Sequence, residues 1–420
     1  MHNWDLSRFN NKNVILTGEN REMTATAAFL KKHSNANSLV HKFVDLNNLA
    51  SAYEQFAKPD LSKTILIKSA GVPGSKMGAP YITSTQLFFE LIQPLGNITI
   101  GVTGTKGKTT TASLIAAMLE QAGKEVILCG NIGQAMIAYL DKATPLKIFV
   151  IELSSQQLEE LEVSPHIACV TNLYNDHLDY HGSLEAYFEA KHNIVRFMGP
   201  DDIFVYNPNF ELCREWAKTS QAKSIVINPD EQLDMSKTKL IGDHNRLNAI
   251  MAKTVAKQVG ANEQNCLVAI NSFQPIEHRL EKINTINGVT FIDDAIASQP
   301  EAAIAGLEAI SKEYGPVSGM LLGGQDRNYD FTNLMLKLYH FKVMNLVLFP
   351  DTVDKMKAAL PQGYQPAILE TKDMNQAVKW AYQRAPKGSV VLLSTGAPSY
   401  SLWKDFEHKG NQFQKAIKLL

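Results

Sequence analysis

The stretch Gly101-Val-Thr-Gly-Thr-Lys-Gly-Lys-Thr-Thr-Thr111 is the most informative segment of the chain. The apolar run Asn97–Ile100 before it predicts a strand, and residues 109–123 after it predict a helix. A glycine-rich loop between a strand and a helix binds phosphate with its backbone N–H groups and with the positive end of the helix dipole. Within such a loop, Lys108 is expected to reach the terminal phosphates and the Thr109 hydroxyl to bind Mg²⁺. ATP-driven chemistry is therefore the first hypothesis, and a solvated turn before a helix is its alternative.

Composition sets limits on the class of protein. The 420 residues, 45% hydrophobic and 20% charged, predict a globular protein of two or three domains. The net charge of −1 gives no support to a nucleic-acid partner. The four cysteines include no C-x-x-C pair, which argues against a disulfide framework or a zinc ribbon. Because no signal segment or membrane-length apolar run occurs, we expect a cytoplasmic protein, taken as a monomer, with no membrane partner.

Three successive regions alternate strand-like and helix-like segments, which predicts an α/β fold with parallel sheets. Residues 1–96 read as an N-terminal Rossmann-like domain, with strands at Asn13–Thr17 and Thr64–Ser69. Residues 97–274 read as a central ATPase-type domain built around the phosphate loop. Residues 275–420 read as a second Rossmann-like domain. Ligands bind beyond the carboxyl ends of strands in such sheets, so turns at these ends are candidate sites.

Several strand ends of the central region carry residues suited to metal and nucleotide chemistry. Glu152 follows a predicted strand and could bind Mg²⁺, or could simply favour a helix N-terminus. His177 lies in a loop dense in potential ligands, and Lys191 follows at helical spacing, where a solvated surface lysine is the ordinary interpretation. Asn245 and Asn248 share one helix face and could read adenine, or could cap the helix.

The last region has three loops rich in Gly, Arg and Ser at strand ends, which together suggest an anion site. They contain Asp294, Gly323–Arg327 and Ser394–Ser399. Each loop taken alone could be ordinary turn chemistry.

In order, these motifs resemble the Mur ligases, the ATP-dependent amide ligases of peptidoglycan precursor synthesis, over essentially the whole chain. The matching blocks are Gly104–Thr110, Gly130–Gly133, Glu152–Gln157, Asn175–His177, Asn245/Asn248, His278-Arg279, Gly323-Gly324 and Ser394–Phe406. The resemblance implies that a carboxylate of UDP-N-acetylmuramoyl-L-alanine attacks the ATP γ-phosphate to give an acyl phosphate, which the amine of glutamate then attacks. The implied cofactors are ATP and Mg²⁺, with a lysine carbamylated by CO₂ at Lys191.

The resemblance also assigns roles to individual residues of this sequence. The ATP contacts it implies are Gly104, Thr105, Lys106, Gly107, Lys108, Thr109, Thr110, Asn245, Asn248, Arg279 and Asp294. The metal ligands are Thr109, Glu152, His177 and Lys191, and the catalytic residues are Lys108, His177 and Lys191. The contacts to the nucleotide sugar are Thr17, Gly71, Asn131, Ser154 and Gln157. The glutamate contacts are Ser298, Arg327, Ser399 and Phe406.

The chain departs from the family pattern at positions that bear on amino-acid recognition. Ile296 stands where a lysine is expected, and Arg327 stands for the lysine after the double glycine. D-glutamate is the expected substrate, and L-glutamate stays open beside it. The turn Glu19-Asn20-Arg21 also departs from the family's glycine-rich uridine loop.

Two other functions compete with this hypothesis. Folylpolyglutamate synthase shares the ATP loop and also joins glutamate, but it lacks the N-terminal nucleotide-sugar domain that the first hundred residues predict. A nucleotide-binding regulator without catalysis is the other alternative, and the presence of Lys108, Glu152, His177 and Lys191 argues against it.

Overall fold

The computed structural model describes residues 4–18, 20–42, 44–45, 51–176, 178–235, 237–240, 242–274, 277–327 and 329–420. Contacts between Cα atoms divide the chain into two compact units. Unit 1 comprises residues 1–236 and 247–272, and unit 2 comprises residues 237–246 and 273–420.

The strands are β1 Asn13–Thr17, β2 Ser38–Lys42, β3 Thr64–Lys68, β4 Tyr81–Thr83, β5 Thr99–Thr103, β6 Val126–Gly130, β7 Ile148–Glu152, β8 Ile167–Val170, β9 Ile203–Tyr206, β10 Lys223–Val226, β11 Glu281–Ile286, β12 Val289–Asp293, β13 Val317–Gly323, β14 Asn345–Phe349, β15 Ala367–Glu370 and β16 Val390–Leu393. The α-helices are α1 Arg21–His33, α2 Ala52–Gln55, α3 Ser84–Ile92, α4 Lys108–Gln121, α5 Ser155–Leu158, α6 Leu178–His181, α7 Leu184–Arg196, α8 Glu211–Thr219, α9 Asp243–Gln258, α10 Glu263–Ser272, α11 Pro300–Tyr314, α12 Thr332–His340, α13 Val353–Ala358, α14 Met374–Arg384 and α15 Phe406–Ile417.

Unit 1 contains two parallel sheets. The first has the order β2-β1-β3-β4 and the second the order β10-β9-β8-β5-β7-β6. The central strands β5 and β7 are buried along their whole length, as expected for strands covered by helices on both faces. One hydrophobic core includes residues of both sheets, among them Leu16 of β1 and Phe149 of β7, together with Phe88 of α3. The first sheet therefore shares a packed core with the second.

Unit 2 contains the third sheet, of order β11-β12-β16-β13-β14-β15. Its strands are parallel except for β11, which pairs antiparallel with β12. Separate hydrophobic clusters, one including Leu322 and Leu346 and the other including Phe291 and Phe349, pack apolar side chains of these strands against helices. The carboxyl ends of β12, β13 and β16 meet at one edge because parallel neighbours run in the same direction.

The predicted α/β fold with parallel sheets is confirmed. Among the helices that the structure describes, none combines the length and the apolar character that a membrane span needs.

Candidate active site

The phosphate loop joins β5 to α4 and is shaped by two glycines. Gly104 has φ +144° and Gly107 has φ +78°, backbone angles that residues with a side chain rarely adopt. A Cβ atom at Gly104 would lie 2.0 Å from Thr171 Oγ1, and one at Gly107 would lie 2.3 Å from Asn248 Oδ1. Glycine is therefore required at both positions, for backbone conformation and for space.

Hydrogen bonds attach the loop to the segment that follows β8. The Thr105 amide donates to Asn172 O at 2.9 Å, and the Lys106 amide donates to Asn172 Oδ1 at 2.7 Å. The Asn172 side chain donates in return to Lys106 O at 2.9 Å. This segment leads to His177, which lies outside the described residues.

Lys108 and the threonines after it form the first turn of α4. The Lys108 ammonium donates to the loop carbonyls of Gly104, at 3.1 Å, and Thr105, at 3.0 Å. Thr109 is half-buried and Thr110 is buried. The amides at the start of this 14-residue helix add the positive end of the helix dipole next to the lysine charge, which suits a phosphate.

Lys191, on α7, is a fully buried lysine beside the loop. Its Nζ donates to Gly104 O at 3.0 Å and to Thr103 Oγ1 at 3.4 Å, and it lies 4.8 Å from the centre of the Tyr187 ring. Burial, together with the positive charge of Lys108, holds the pKa of Lys191 well below its usual range. The amine is thereby shifted towards its neutral, nucleophilic form.

Glu152 ends β7 and is only 2% exposed. Its Oε1 accepts a hydrogen bond from Asn131 at 3.0 Å, while Oε2 has no hydrogen-bond partner in the described part of the chain. A buried carboxylate oxygen without a donor is suited to a cation, since Mg²⁺ prefers oxygen ligands. The Oε2 atom of Glu152 is therefore a candidate ligand for Mg²⁺.

A cavity of about 360 Å³ brings together residues of loops and helices that follow strands of both sheets of unit 1. It is lined by Ala70, Gly71, Lys108, Asn131, Ser154, Ser155, Gln156, Tyr180, Tyr187 and Lys191. Five residues predicted from the sequence are in this set, namely Gly71, Lys108, Asn131, Ser154 and Lys191. Two lysines and several neutral donors in one cavity favour an anionic ligand.

Two residues expected to contact the nucleotide sugar are held in other bonds. The Thr17 hydroxyl donates to Ile67 O at 3.1 Å and accepts from the Ser69 amide at 3.2 Å. Gln157 and Ser154 form a capping box at the start of α5, with Gln157 Oε1 accepting from the Ser154 amide at 3.1 Å. Neither Thr17 nor Gln157 is among the cavity-lining residues.

Sequence reasoning missed Ala70, Ser155, Gln156, Tyr180 and Tyr187 as cavity residues. The first three lie next to Gly71 or inside the quoted block Glu152–Gln157, so position along the chain was a usable signal for them. What it lacked was the orientation of each side chain, which depends on how α5, α6 and α7 pack.

In unit 2, Arg279 lies between two residues of left-handed backbone conformation, His278 with φ +63° and Leu280 with φ +45°. Asp293 and Asp294 hold this turn: Asp293 Oδ2 lies 2.7 Å from His278 Nδ1, and Asp294 Oδ1 accepts from the Leu280 amide at 3.3 Å. A turn held in a sparsely populated conformation needs such support, and strain of this kind is often found at functional sites.

Asp294 is 4% exposed, and its second oxygen accepts from Ser394 Oγ at 2.7 Å. Burial raises the pKa of Asp294 to about 7, against the opposing effect of the Ser394 hydrogen bond. Its carboxyl group is thus committed to contacts inside unit 2. Asn245 and Asn248 are both buried.

The loops of three of the four residues expected to contact glutamate meet at the edge of the third sheet, while Phe406 is the first residue of α15. The Gly396 amide donates to Ala297 O at 3.1 Å, which joins the loops of Ser399 and Ser298. The Gln325 amide donates to Pro398 O at 2.8 Å, which brings in the loop of Arg327. Arg327 is exposed, Ser399 is buried, and Ser298 and Phe406 are half-buried.

A glycine-rich phosphate loop opening a helix on a parallel sheet, beside a buried low-pKa lysine and a buried carboxylate with one oxygen that accepts no hydrogen bond from the described residues, defines a nucleotide-dependent enzyme. Residues 102–228 match the Mur ligase middle domain, and residues 278–396 match the Mur ligase, glutamate ligase domain. The chain belongs to the Mur ligase family.

Individual relatives agree with this assignment. The chain is 34% identical over 389 residues to a UDP-N-acetylmuramoylalanine--D-glutamate ligase of Ligilactobacillus salivarius (strain UCC118), covering 85% of this chain and 82% of that protein. It is 33% identical to the protein of the same name from Streptococcus mutans serotype c, with coverage of 84% and 83%.

Solved structures share the fold. MurF ligase from Thermotoga maritima, crystallised with ADP, superposes with a TM-score of 0.65 at 15% identity, covering 98% of this chain and 96% of that one. UDP-N-acetylmuramate-alanine ligase MurC from Thermotoga maritima gives 0.63 at 17% identity, covering 97% and 99%.

Proposed function

We propose that this protein is an ATP-dependent ligase that joins D-glutamate to UDP-N-acetylmuramoyl-L-alanine in peptidoglycan precursor synthesis. The observation that carries the proposal is the cavity, which combines Lys108 of the phosphate loop and Lys191 with Gly71, Asn131 and Ser154 of the predicted nucleotide-sugar site. The relatives named for this reaction, matched over more than four fifths of their length, support the choice of substrates.

We assign the phosphate end of the ATP site to the loop and to the start of α4. The loop amides and Lys108 bind the negatively charged phosphates in a fixed geometry. The negative charge that develops during phosphoryl transfer is therefore stabilised by donors that are already in place. The phosphate contacts are Gly104, Thr105, Lys106, Gly107, Lys108, Thr109 and Thr110. Asn248, Asn245, Arg279 and Asp294 are proposed as further ATP contacts.

The proposed Mg²⁺ ligands are Thr109, Glu152, His177 and Lys191. Bound there, Mg²⁺ would neutralise phosphate oxygens and make the γ-phosphorus easier to attack. For Lys191 we propose carbamylation: the neutral amine bonds to the carbon of CO₂, one N–H proton leaves to solvent, and the product carries a negative charge on oxygen. The low pKa of Lys191 favours this step because only the neutral amine is nucleophilic.

We also propose three domains, residues 1–96, 97–274 and 275–420. Their support is that the strands of the three sheets fall within residues 13–83, 99–226 and 281–393, one sheet in each range. The glutamate contacts, Ser298, Arg327, Ser399 and Phe406, belong to the third range, and the nucleotide-sugar contacts belong to the first two.

The test is phosphate release from ATP with UDP-N-acetylmuramoyl-L-alanine, run in parallel with D-glutamate and L-glutamate, with the product mass measured. We expect turnover that requires the acceptor and D-glutamate. Turnover with L-glutamate alone would show that L-glutamate, and not D-glutamate, is the substrate. It would point to Ile296 and Arg327 as the residues that change the preference. No turnover with either enantiomer would overturn the proposal.

A further inference from the structure

An ion cluster with a buried lysine and two half-buried acids lies immediately next to the cavity. Lys68, the last residue of β3, has a fully buried side chain whose Nζ lies 3.4 Å from Glu160 Oε2 and 3.7 Å from Glu159 Oε2. Its ammonium also lies 5.9 Å from the centre of the Tyr81 ring, and the Tyr81 hydroxyl donates to Glu160. Lys68 belongs to the first sheet and the two acids follow β7 of the second, so the cluster joins the two sheets that line the cavity.

Tyr180 connects this cluster to the cavity wall. Its side chain lines the cavity, and its hydroxyl lies 3.0 Å from Glu159 Oε2, 3.1 Å from Ala70 O and 3.3 Å from Val72 O. Burial, together with the charge of Glu159, raises the pKa of Tyr180 above its usual range. The hydroxyl therefore stays protonated and keeps a hydrogen to donate among these acceptors.

Glu159 reaches a second lining residue through His181. Its Oε1 lies 3.6 Å from His181 Nδ1, and His181 Nε2 lies 3.0 Å from Ser155 Oγ. Burial would raise the pKa of Glu159, but the nearby His181 ring and the charge of Lys68 outweigh it and lower that pKa. Glu159 is therefore a stable carboxylate with Lys68 as its buried counter-charge.

Three lining groups from three separate segments thus depend on one carboxylate. Ala70 follows β3, Ser155 opens α5, and Tyr180 is on α6. An ion cluster that only stabilised the fold would not be expected to connect to three separate segments of the cavity wall. Buried ion pairs also stabilise weakly on balance, because desolvation offsets the attraction between the charges, whereas they can specify one geometry.

We propose that Glu159 is a positioning residue for the nucleotide-sugar acceptor, holding Tyr180, Ser155 and the Ala70–Val72 turn in the geometry that binds it. Lys68 supplies the counter-charge that keeps Glu159 ionised. The inference rests on the proposed function, since it takes the cavity as the acceptor site.

The test compares wild type with Glu159→Gln, Tyr180→Phe and the double variant. Glu162→Gln is the matched control, because Glu162 is exposed and lies three residues further along the same segment. The readouts are KM for each of the three substrates and kcat by phosphate release, the Kd for UDP-N-acetylmuramoyl-L-alanine by calorimetry, and Tm.

For E159Q and Y180F we expect KM and Kd for the acceptor to rise on the order of tenfold, because each variant loses a hydrogen bond to a charged group. KM for ATP should stay within about twofold of the wild-type value. The double variant should be little worse than either single variant, because both act through one network. E162Q should match wild type.

Acceptor KM and Kd unchanged in E159Q, whether or not its Tm falls, would overturn the positioning role and leave the ligase function standing. A uniform fall in kcat with acceptor Kd unchanged would overturn it too. Wild type without turnover would overturn the proposed function, and calorimetry would then decide separately whether E159Q weakens acceptor binding.

Discussion

Lys191 in unit 1 and Lys409 in unit 2 are two buried lysines in similar immediate surroundings. Lys191 is 1% exposed and Lys409 is 0% exposed. Each lies over an aromatic ring, Tyr187 at 4.8 Å and Trp403 at 5.7 Å, and each donates to a threonine hydroxyl. Burial lowers the pKa of both, for Lys409 to about 7.

The difference lies in the charges around each lysine and in its access to a cavity. Lys191 lines the cavity and lies near charges of both signs: Lys108, the strongest of them, lowers its pKa further, while Asp176 and Glu152 raise it. Among the described residues, Lys409 has only acids acting on its pKa, Asp293 and Asp294, and their charges counteract the effect of burial. A buried lysine that is open to a cavity and has another cation beside it is suited to chemistry, whereas one with acids alone around it is suited to holding structure.

Exchanging each lysine for methionine tests this contrast most directly. We expect Lys191→Met to lower kcat/KM by about a thousandfold or more, because the charged oxygen ligand proposed for Mg²⁺ is lost. Its fold should survive, since methionine fills a similar buried volume. Phosphate release and circular dichroism measure the two effects.

Lys409→Met should instead reduce the free energy of unfolding by about 1 to 3 kcal/mol, because Thr395 and the two aspartates lose their partner. At temperatures below the unfolding transition, the Lys409→Met variant should retain turnover. Equal losses of turnover in two well-folded variants would mean that the contrast between the two lysines is wrong.

Two glycines next to α4 can test whether the phosphate loop of unit 1 needs open space. Gly107 and Gly123 have similar backbone angles, φ +78° and +73°, but an added Cβ would clash with Asn248 only at Gly107 and would meet open space at Gly123. We expect Gly107→Ala to raise KM for ATP or lower kcat by about ten- to a hundredfold, because the loop or Asn248 must shift.

Gly123→Ala is the control for backbone strain alone and should cost about 1 kcal/mol of stability, with kinetics unchanged. ATP-dependent phosphate release and urea unfolding separate the two effects. Identical kinetics in both alanine variants would show that the contact with Asn248 is not needed.

The acids around Lys409 give an effect on stability alone, visible as a pH dependence of the free energy of unfolding. The pKa of Asp294 is raised to about 7 in the folded state from 3.8, so the folded protein binds this proton more tightly than the unfolded chain. This contribution is fully present below about pH 4 and is lost as pH rises towards and through 7. We expect Asp294→Asn to remove a fall of about 1 to 3 kcal/mol between pH 4.5 and 7.5.

Urea unfolding across that pH range measures the slope in wild type, in D294N and in Asp354→Asn, which makes the same change at an exposed site. A D294N profile parallel to wild type would argue against a protonated Asp294. Lys409 contributes with the opposite sign, since its pKa is lowered to about 7 and its stability contribution grows only as pH rises towards 10.5.

The sequence predicted the central strands well and the edges of the sheets less well. β1 begins and ends at the predicted residues, and the central strands β3 and β5 lie within a few residues of their predicted bounds. β2 and β11 were missed because they are edge strands with partly exposed, polar residues and a weak apolar pattern. β9, Ile203–Tyr206, has a clear apolar signal that could have been found.

The sequence by itself determined the phosphate loop, because the positive φ of Gly104 and Gly107 and the helix start at Lys108 are local properties. It also determined the family, since the motifs recur in one order. Only the tertiary structure decided that Glu159, Tyr180 and Ser155 act together, because they come from separate segments whose contacts depend on packing. The tertiary structure also decided the roles of Lys191 and Lys409, since the sequence does not show which buried ammonium lies beside a cavity and which has, in the described part of the chain, acids alone around it.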